Sequence, residues 1–482
     1  MIALVCALLS AAGFYLSLGL GTQWWLAWIA PVPVLWLAFG KSKAWVVFLA
    51  SWAAIALGAS NMLRAYGGVL PAAALAFWPL VPGLLFALTV IGAQYVRRAL
   101  GSIPAMLTFA ALWTAADLLL SLASPAGSIG SPATAQAAAP VLVQSASLVG
   151  FCGITFLIGA VAAGIALSLR TRSAAPVLLA AALFAANLAY GYWRISPPAA
   201  AGERIALIDS NDAVGPHQKP DGKSELAVVD TYAAQIEQLR GRNVQLVLLP
   251  ENISRLDPPW RSAAEARLAA AATTVGATVV AGFSASVDGA SRNVAWAFRP
   301  GIAAPVTYEK RHLIPVVESS VYKPGPGPVV LPDGTALEIC LDMDYQRMLR
   351  HDERTTRPKL LAVPAWDFGA DGWFHARDAV MRSVENGVPM ARSARDGLLT
   401  LNDRFGRIVS EAPTVAGFTT VVGELPLAGR GGATLYDRIG DVFGWLCLAL
   451  GAGLVGASWW RGMRVAPGTR AANAARGASV ST

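Results

Sequence analysis

The sequence predicts a helical membrane bundle joined to an α/β domain, and three observations lead to this fold class. The 482 residues are 55% hydrophobic and only 14% charged, whereas a soluble domain is about 25% charged. Apolar runs of about 20 residues occupy most of the first 193 residues and recur near the C-terminus. Between residues 194 and 438, short apolar runs alternate with helical patterns, which is typical of an α/β domain.

Eight apolar runs are candidates for transmembrane helices. They lie at residues 2–20, 24–39, 45–61, 69–93, 103–122, 140–169, 175–193 and 439–458. These runs divide the chain into a seven-helix transmembrane domain (1–193), an α/β domain (194–438), an eighth transmembrane helix (439–460) and a tail (461–482). We expect the tail to be disordered and cytoplasmic, because it is rich in Ala, Gly and Arg and follows the eighth run on the basic side.

Basic residues predict the orientation of the bundle. Lys and Arg pairs follow the second, fourth and sixth runs, and four arginines follow the eighth; the pairs are Lys41 and Lys43, Arg97 and Arg98, and Arg170 and Arg172. If the helices alternate in direction, all these groups lie on one side, and the positive-inside rule assigns that side to the cytoplasm. The α/β domain then faces outward. Many of the basic residues behind the net charge of +8 lie in these short pairs between apolar runs, where they set the orientation of the helices. The sequence shows no basic helix and no RNA-binding signature, so nucleic-acid binding is not expected.

Three segments of the outer domain place reactive side chains at strand ends. One buried strand ends in Glu251, a basic run begins at Lys310 and continues to Glu318, and a short strand ends at Cys340. Strand ends that meet at one sheet edge are where α/β proteins build sites. A carboxylate can accept the proton of a thiol, and a lysine cation favours the thiolate. Each residue also has a non-catalytic interpretation. Cys340 could be a buried structural thiol, Glu251 a helix cap and Lys310 part of a solvated loop. Glu318 could be a surface carboxylate.

The order Pro-Glu, Lys-Arg-His-Leu-x-Pro and Ile-Cys resembles the nitrilase superfamily, which uses a Glu–Lys–Cys triad in an α-β-β-α sandwich. With membrane spans before and after the domain, the whole chain resembles the apolipoprotein N-acyltransferase family. The resemblance implies that Glu251 is the general base, that Lys310 stabilises the oxyanion and that Cys340 is the nucleophile. It also implies a supporting or substrate-contacting role for Glu318 and Asp342.

The same resemblance implies an acyltransferase of the bacterial inner membrane with its catalytic domain in the periplasm. A membrane phospholipid would donate the acyl chain, and the N-terminal amine of a diacylglyceryl-cysteine apolipoprotein would accept it. No metal and no organic cofactor is implied. Two alternatives stay open: a divergent nitrilase-like amidohydrolase or acyltransferase that acts on another amine or amide, and a non-enzymatic membrane scaffold.

The chain departs from the family pattern at several positions. Leu249 precedes Pro-Glu where Trp is usual, and Leu341 and Asp342 follow the cysteine where Tyr and Glu are usual. Residues 124–130 replace a Gly-Phe-Pro-Trp element after the fifth apolar run. These departures affect the expected acceptor and acyl-chain pocket more than the triad. Asp117, an acidic residue inside the fifth run, is either an interfacial carboxylate or a functional group in the membrane.

Overall fold

The computed structural model describes residues 1–196, 202–212, 221–427 and 434–478. Its N-terminal part consists of short and long apolar helices. These are α1 (Ile2–Ser17), α2 (Val32–Ala38), α3 (Ala44–Gly58), α4 (Met62–Tyr66), α5 (Ala72–Leu100), α6 (Ser102–Ala123), α7 (Pro140–Val143), α8 (Ala146–Val149), α9 (Phe151–Thr171) and α10 (Ala175–Ile195).

Six helical segments of the described chain are long and apolar enough to cross a membrane. They are Ala44–Tyr66, Trp78–Leu100, Ser102–Ala123, Phe151–Thr171, Ala175–Ile195 and Val442–Arg461. The predicted bundle of apolar helices is therefore present, but the number eight is not confirmed.

Breaks in the helices shorten three of the predicted spans, the first, the second and the sixth, although the sixth retains the candidate segment Phe151–Thr171. The first ends at Ser17, shortly before Gly19 adopts a φ of 55°. The second begins as a 3₁₀ helix at Trp24–Trp28 and restarts as α2 only after Pro31. In the sixth, Gly150 with a φ of 69° separates α8 from α9. A glycine in the left-handed region interrupts the i→i−4 hydrogen bonds that a continuous helix needs.

Two helices form the C-terminal part of the described chain. After α15 (Leu435–Ile439), α16 (Val442–Ala478) continues as a helix through most of the segment expected to be disordered. Ala and Arg are among the best helix formers, so a segment rich in them can extend an existing helix without a buried apolar face. Residues 479–482 lie outside the described residues.

Two mixed sheets form the centre of the α/β domain. The strands are β1 (Gly202–Ser210), β2 (Leu246–Leu248), β3 (Ser254–Leu256), β4 (Thr278–Val287), β5 (Ala290–Phe298), β6 (Val306–Glu309), β7 (Val329–Val330), β8 (Thr335–Leu337), β9 (Leu360–Trp366), β10 (Met390–Arg395), β11 (Leu398–Asn402), β12 (Ile408–Pro413) and β13 (Phe418–Pro426). One sheet has the order β13-β1-β2-β4-β5-β6, with β3 paired to β4, and the other has the order β12-β11-β10-β9-β8-β7.

Helices cover the outer faces of both sheets. The helices are α11 (Gly222–Glu237), α12 (Pro258–Val275), α13 (Gln346–Thr356) and α14 (Gly372–Asn386). One buried core joins the facing sides of the two sheets, including Leu207 and Val280 of the first and Leu337 and Leu401 of the second. A second core lies between the first sheet and α11 and α12, and a third joins the second sheet to α14. These layers form the α-β-β-α sandwich that the sequence predicts.

Helix α14 also packs against the membrane helices. Val380, Met381 and Val384 belong to the same buried core as residues of the N-terminal bundle. At the end of the helix, Glu385 Oε1 accepts a hydrogen bond of 2.7 Å from the backbone N–H of Phe151 at the start of α9. The domain therefore rests directly on one end of the bundle.

Candidate active site

Lys310 lies in a buried cluster of charged side chains. Its Nζ donates to Oε1 of Glu251 at 2.8 Å and to Oε1 of Glu318 at 2.9 Å. Asn293 Nδ2 donates to the same two oxygens, at 2.5 and 3.0 Å. The lysine side chain is fully buried, and the two carboxylates are 3% and 9% exposed. An ammonium group removed from water needs such partners, because its desolvation costs several kcal/mol.

Strand ends bring these side chains together. Glu251 follows β2 by three residues, and its backbone N–H donates to the carbonyl of Ala365 in the other sheet at 3.2 Å. Lys310 directly follows β6 and is held by a backbone bond of 2.8 Å to Asn293 of β5. Gly282 of β4 lies so close to Glu251 that a Cβ there would approach the Glu251 Cα to 2.5 Å. Only glycine fits at that position.

Cys340 stands at the turn between β8 and a 3₁₀ helix, Cys340–Asp344. Its φ is 43°, a left-handed conformation that is uncommon for a residue with a side chain and often marks a functional site. The thiol donates a weak hydrogen bond of 3.7 Å to the carbonyl of Trp366. Glu251 and Lys310 both act electrostatically on the pKa of this thiol, so the buried cluster lies near the sulfur.

Burial and charge set the protonation states of the cluster. Burial, reinforced by Glu251, raises the pKa of the Cys340 thiol well above its usual range, although Lys310 opposes this. Burial also raises the pKa of Glu251, against the lowering effect of Lys310. Burial alone would lower the pKa of Lys310, but Glu251 and Glu318 raise it well above its usual range. These shifts favour a neutral thiol and a lysine cation, and they make the Glu251 carboxylate more basic.

Glu318 and Asp342, the two supporting residues predicted from the sequence, lie in different surroundings. Glu318 belongs to the cluster, and its second oxygen accepts from the backbone N–H of Ile314 at 2.8 Å. Asp342 is fully buried outside it, where it accepts from the hydroxyl of Tyr308 at 2.7 Å and from the backbone N–H of His312 at 2.8 Å. Asp342 thereby connects the segment after Lys310 to the segment after Cys340, and it does not line the cavity beside the thiol.

An apolar cavity of about 350 Å³ opens beside Cys340. Its walls come from both parts of the molecule and include Tyr66, Leu70, Trp78, Ile129, Leu341 and Phe368. Two of the departures from the family pattern, Leu341 and the loop at residues 124–130, therefore form its wall. The nucleophile candidate thus faces a largely apolar space bounded partly by membrane helices.

A polar contact between the membrane part and the domain borders the same cavity. The Tyr66 hydroxyl donates to Asp371 Oδ2 at 2.6 Å and lies 3.1 Å from His375 Nε2. Burial would lower the pKa of His375, but Asp371 raises it to about 9. Burial would raise the pKa of Asp371, but His375 lowers it to about 2. A cationic imidazole therefore lies in the wall of a cavity that is otherwise mostly apolar.

No pattern in the sequence marked Asn293, Tyr66 or His375 as residues of the site. The available signal for Asn293 was a single amide in an otherwise apolar strand, because a buried amide needs hydrogen-bond partners.

Asp117 is buried within α6, where it accepts hydrogen bonds from Ser131 at 2.7 Å and Thr155 at 2.5 Å. These contacts favour a helix-linking role over an interfacial one. Among the described residues, no group of three or more His, Cys, Asp and Glu side chains could hold a metal ion.

The fold and the cluster define a class of protein: a chain of apolar, potentially membrane-spanning helices joined to an α-β-β-α domain in which a buried Glu–Lys pair lies near a cysteine. Residues 10–164 match the family model described as the apolipoprotein N-acyltransferase N-terminal domain. An apolipoprotein N-acyltransferase of Gloeobacter violaceus is 27% identical over 91% of this chain and 80% of its own length. That of Geobacter metallireducens is 26% identical over 90% of this chain and 91% of its own. A solved nitrilase-superfamily amidase from Nesterenkonia covers 48% of this chain and 92% of its own, with 22% identity and a TM-score of 0.40.

The chain is a relative of the apolipoprotein N-acyltransferases over nearly its whole length. The resemblance predicted from the sequence motifs is thus confirmed, as is the prediction of an acyltransferase enzyme.

Proposed function

We propose that this protein moves an acyl chain from a membrane phospholipid to the N-terminal amine of a diacylglyceryl-cysteine apolipoprotein, through a thioester on Cys340. One observation carries the proposal: Cys340 lies near the Glu251–Lys310 cluster and also lines an apolar cavity bounded partly by membrane helices. A site for lipid acyl transfer needs both an activated nucleophile and an apolar space for the chain.

In the first half-reaction, Glu251 accepts the Sγ proton of Cys340 as the sulfur attacks the ester carbonyl. The Lys310 ammonium has three N–H donors, and the two carboxylates use two of them, which leaves one for the developing oxyanion. The carbon–oxygen ester bond then breaks, and the proton on Glu251 passes to the departing alkoxide. The products are a lysophospholipid and an acyl-thioester on Cys340.

In the second half-reaction, the acceptor amine attacks the thioester carbonyl. Glu251 takes a proton from the amine, the carbon–sulfur bond breaks, and the sulfur regains that proton as the amide forms. Glu318 and Asn293 hold Glu251 and Lys310 in place through both steps. The apolar cavity keeps water from the thioester, which favours transfer over hydrolysis.

The proposal includes an orientation in a bacterial inner membrane, with the domain of residues 194–438 on the periplasmic side. Three basic pairs gather at the end of the bundle away from the domain. Arg98 donates to the carbonyl of Ser42 at 2.9 Å, beside Lys41 and Lys43, and Arg170 stacks 4.5 Å above the Trp36 ring. The positive-inside rule favours a cytoplasmic location for this end.

The test is complementation of a bacterial strain depleted of its own N-acyltransferase, with N-acylation of a reporter lipoprotein as the readout. We expect the wild-type chain and Cys6→Ala to restore N-acylation, because Cys6 lies within α1 away from the cavity. Cys340→Ser is expected to fold, insert and fail. Restoration by Cys340→Ser would contradict the proposal. Release of free fatty acid without N-acylation would favour the amidohydrolase-type alternative.

A further inference from the structure

A second cavity, of about 330 Å³, lies among the ends of α13, α14 and α15. Its polar wall consists of Glu353, Arg354, Arg357, Asn386, Asp437 and Arg438. None of the residues that line it in the described part of the chain also lines the cavity beside Cys340. The acyl-transfer chemistry proposed above does not use this cavity.

Positive charge predominates in this wall. Arg354, Arg357 and Arg438 are exposed, and within the described ranges none of the three forms an ion pair with a carboxylate. These three guanidinium groups and that of Arg350 all act on one nearby carboxylate, Asp437. The wall thus sets three guanidinium groups against the carboxyl groups of Asp437 and Glu353, and this positive excess suits an anionic ligand.

Two buried polar side chains in the wall lack partners. Glu353 is 6% exposed, and neither of its carboxyl oxygens has a hydrogen-bond partner among the described residues. Asn386 is 4% exposed, and its amide nitrogen and oxygen are both unpartnered in the same part of the chain. Burial raises the pKa of Glu353 well above its usual range, which favours the protonated carboxyl group, a hydrogen-bond donor. Buried polar groups normally have partners, and a ligand in the cavity would supply them.

The cavity lies where the chain enters the membrane. Arg438 is on α15, four residues before the start of α16, whose first part is a candidate membrane span. Leu435, Ile439 and Val442 are 46%, 37% and 47% exposed, which is typical of a surface in contact with lipid. Trp445, 43% exposed one turn further on, is the type of residue found at the membrane interface. The arginines are therefore at the level of the lipid headgroups.

We propose that this cavity binds the phosphate group of a phospholipid headgroup, on the side of the membrane that carries the domain. Guanidinium forks match phosphate oxygens in geometry and charge. The Asn386 amide and the Glu353 carboxyl donate to further oxygens of the headgroup. The bound lipid fixes the domain to the bilayer at a position separate from the thiol.

The experiment measures lipid binding to the full-length protein in detergent by native mass spectrometry. The probes are dioleoyl phosphatidylglycerol, dioleoylglycerol as the analogue without phosphate, and inorganic phosphate as a competitor. The test variant is Arg354→Gln/Arg357→Gln. The matched control is Arg240→Gln/Arg242→Gln, which removes the same charge from exposed positions after α11. Asn386→Leu tests the cavity without a change of charge.

Wild-type protein and the control are expected to retain one more phosphatidylglycerol than the test variant. The affinity of that lipid should fall about tenfold in the test variant, as expected for the loss of charge-assisted hydrogen bonds. Asn386→Leu should weaken it in the same direction, and dioleoylglycerol should not occupy the site. Equal binding by the test variant, an equal loss in the control, or equal retention of dioleoylglycerol would overturn the proposal. Binding of inorganic phosphate that phosphatidylglycerol does not displace would overturn the assignment to a lipid.

Discussion

Lys310 contacts two carboxylates rather than one, and in the proposed mechanism this arrangement sets the proton chemistry beside Cys340. The second carboxylate, Glu318, raises the pKa of Glu251, whereas Lys310 lowers it. In the proposed mechanism, Glu251 accepts the thiol proton only when it is ionised, so we expect its pKa to set the acid limb of the acylation rate. Glu318 therefore tunes the base as well as holding the lysine.

Glu318→Gln should move the acid limb of acylation to lower pH. Loss of the neighbouring negative charge lowers the pKa of Glu251, and we expect a shift of up to about one pH unit. The measurement is the rate of acyl-enzyme formation as a function of pH. Glu265→Gln, on the outer helix α12 and paired with Arg261, is the control and should leave the limb in place. An upward shift, or no shift, in Glu318→Gln would contradict this account.

The sequence predicted the charged core of the site but not its amide. Glu251, Lys310 and Cys340 each follow a strand, and strand ends are visible in the apolar pattern. Asn293 joins the cluster through partners 42 and 25 residues away in the chain, which no local pattern reveals. For the same reason, the sequence did not indicate the contact of Tyr66 with His375, 309 residues further along.

At the scale of elements, α4 and α14 meet through the contact of Tyr66, Asp371 and His375. The raised pKa of His375 means that its charged form is favoured in the folded protein. This stabilisation is complete below its ordinary pKa of 6.5 and is lost as the pH rises through about 9. The lowered pKa of Asp371 contributes stability that is complete above 3.8 and is lost as the pH falls through about 2.

His375→Gln should therefore lower the melting temperature more at about pH 6 than at about pH 9.5, because only the cationic imidazole gains from Asp371. The measurement is the difference in melting temperature between wild type and variant across this range. His351→Gln, exposed on α13, serves as the control and should show no such dependence. A difference that stays constant with pH would show that the ion pair does not stabilise the junction.

Gly150 is the element-scale feature that ends α8 and begins α9. It has a φ of 69°, and a Cβ there would lie 2.5 Å from the ring of Tyr436. Gly150→Ala should lower the free energy of unfolding by at least about 1 kcal/mol, because Ala disfavours this φ and collides with the ring. Gly453→Ala, in α16 with no neighbour within 4 Å, should be neutral or slightly stabilising. Equal melting temperatures for Gly150→Ala and wild type would contradict this role.

The sequence revealed fewer strands than the domain contains. The apolar runs at residues 277–283 and 360–364 predict strands, and β4 and β9 lie there. Strand β10 was missed because Arg392 and Arg395 interrupt its apolar pattern. Arg392 is buried in the fold, where it donates to Asp367 at 2.5 and 3.0 Å. A buried arginine is tolerated only where a partner compensates its charge, and that partner, Asp367, lies 25 residues away in the chain.

At the scale of the whole molecule, the membrane helices and the domain share both a core and a cavity. The buried core of the bundle includes Met381 of α14, and the cavity beside Cys340 includes Tyr66 and Trp78. The sequence predicted the two architectures separately from their hydropathy and alternation. It could not predict the shared cavity, because the cavity depends on how the bundle and the domain dock.

The most direct test of the account is intact-protein mass spectrometry after incubation with a phospholipid of defined acyl chains. We predict a mass gain of one acyl chain on Cys340 of the wild-type protein, which hydroxylamine removes. We expect no gain for Cys340→Ala and much slower formation for Glu251→Gln, because the proton acceptor is lost. A hydroxylamine-stable adduct, an adduct on another residue, or an unchanged gain in Cys340→Ala would contradict the central claim.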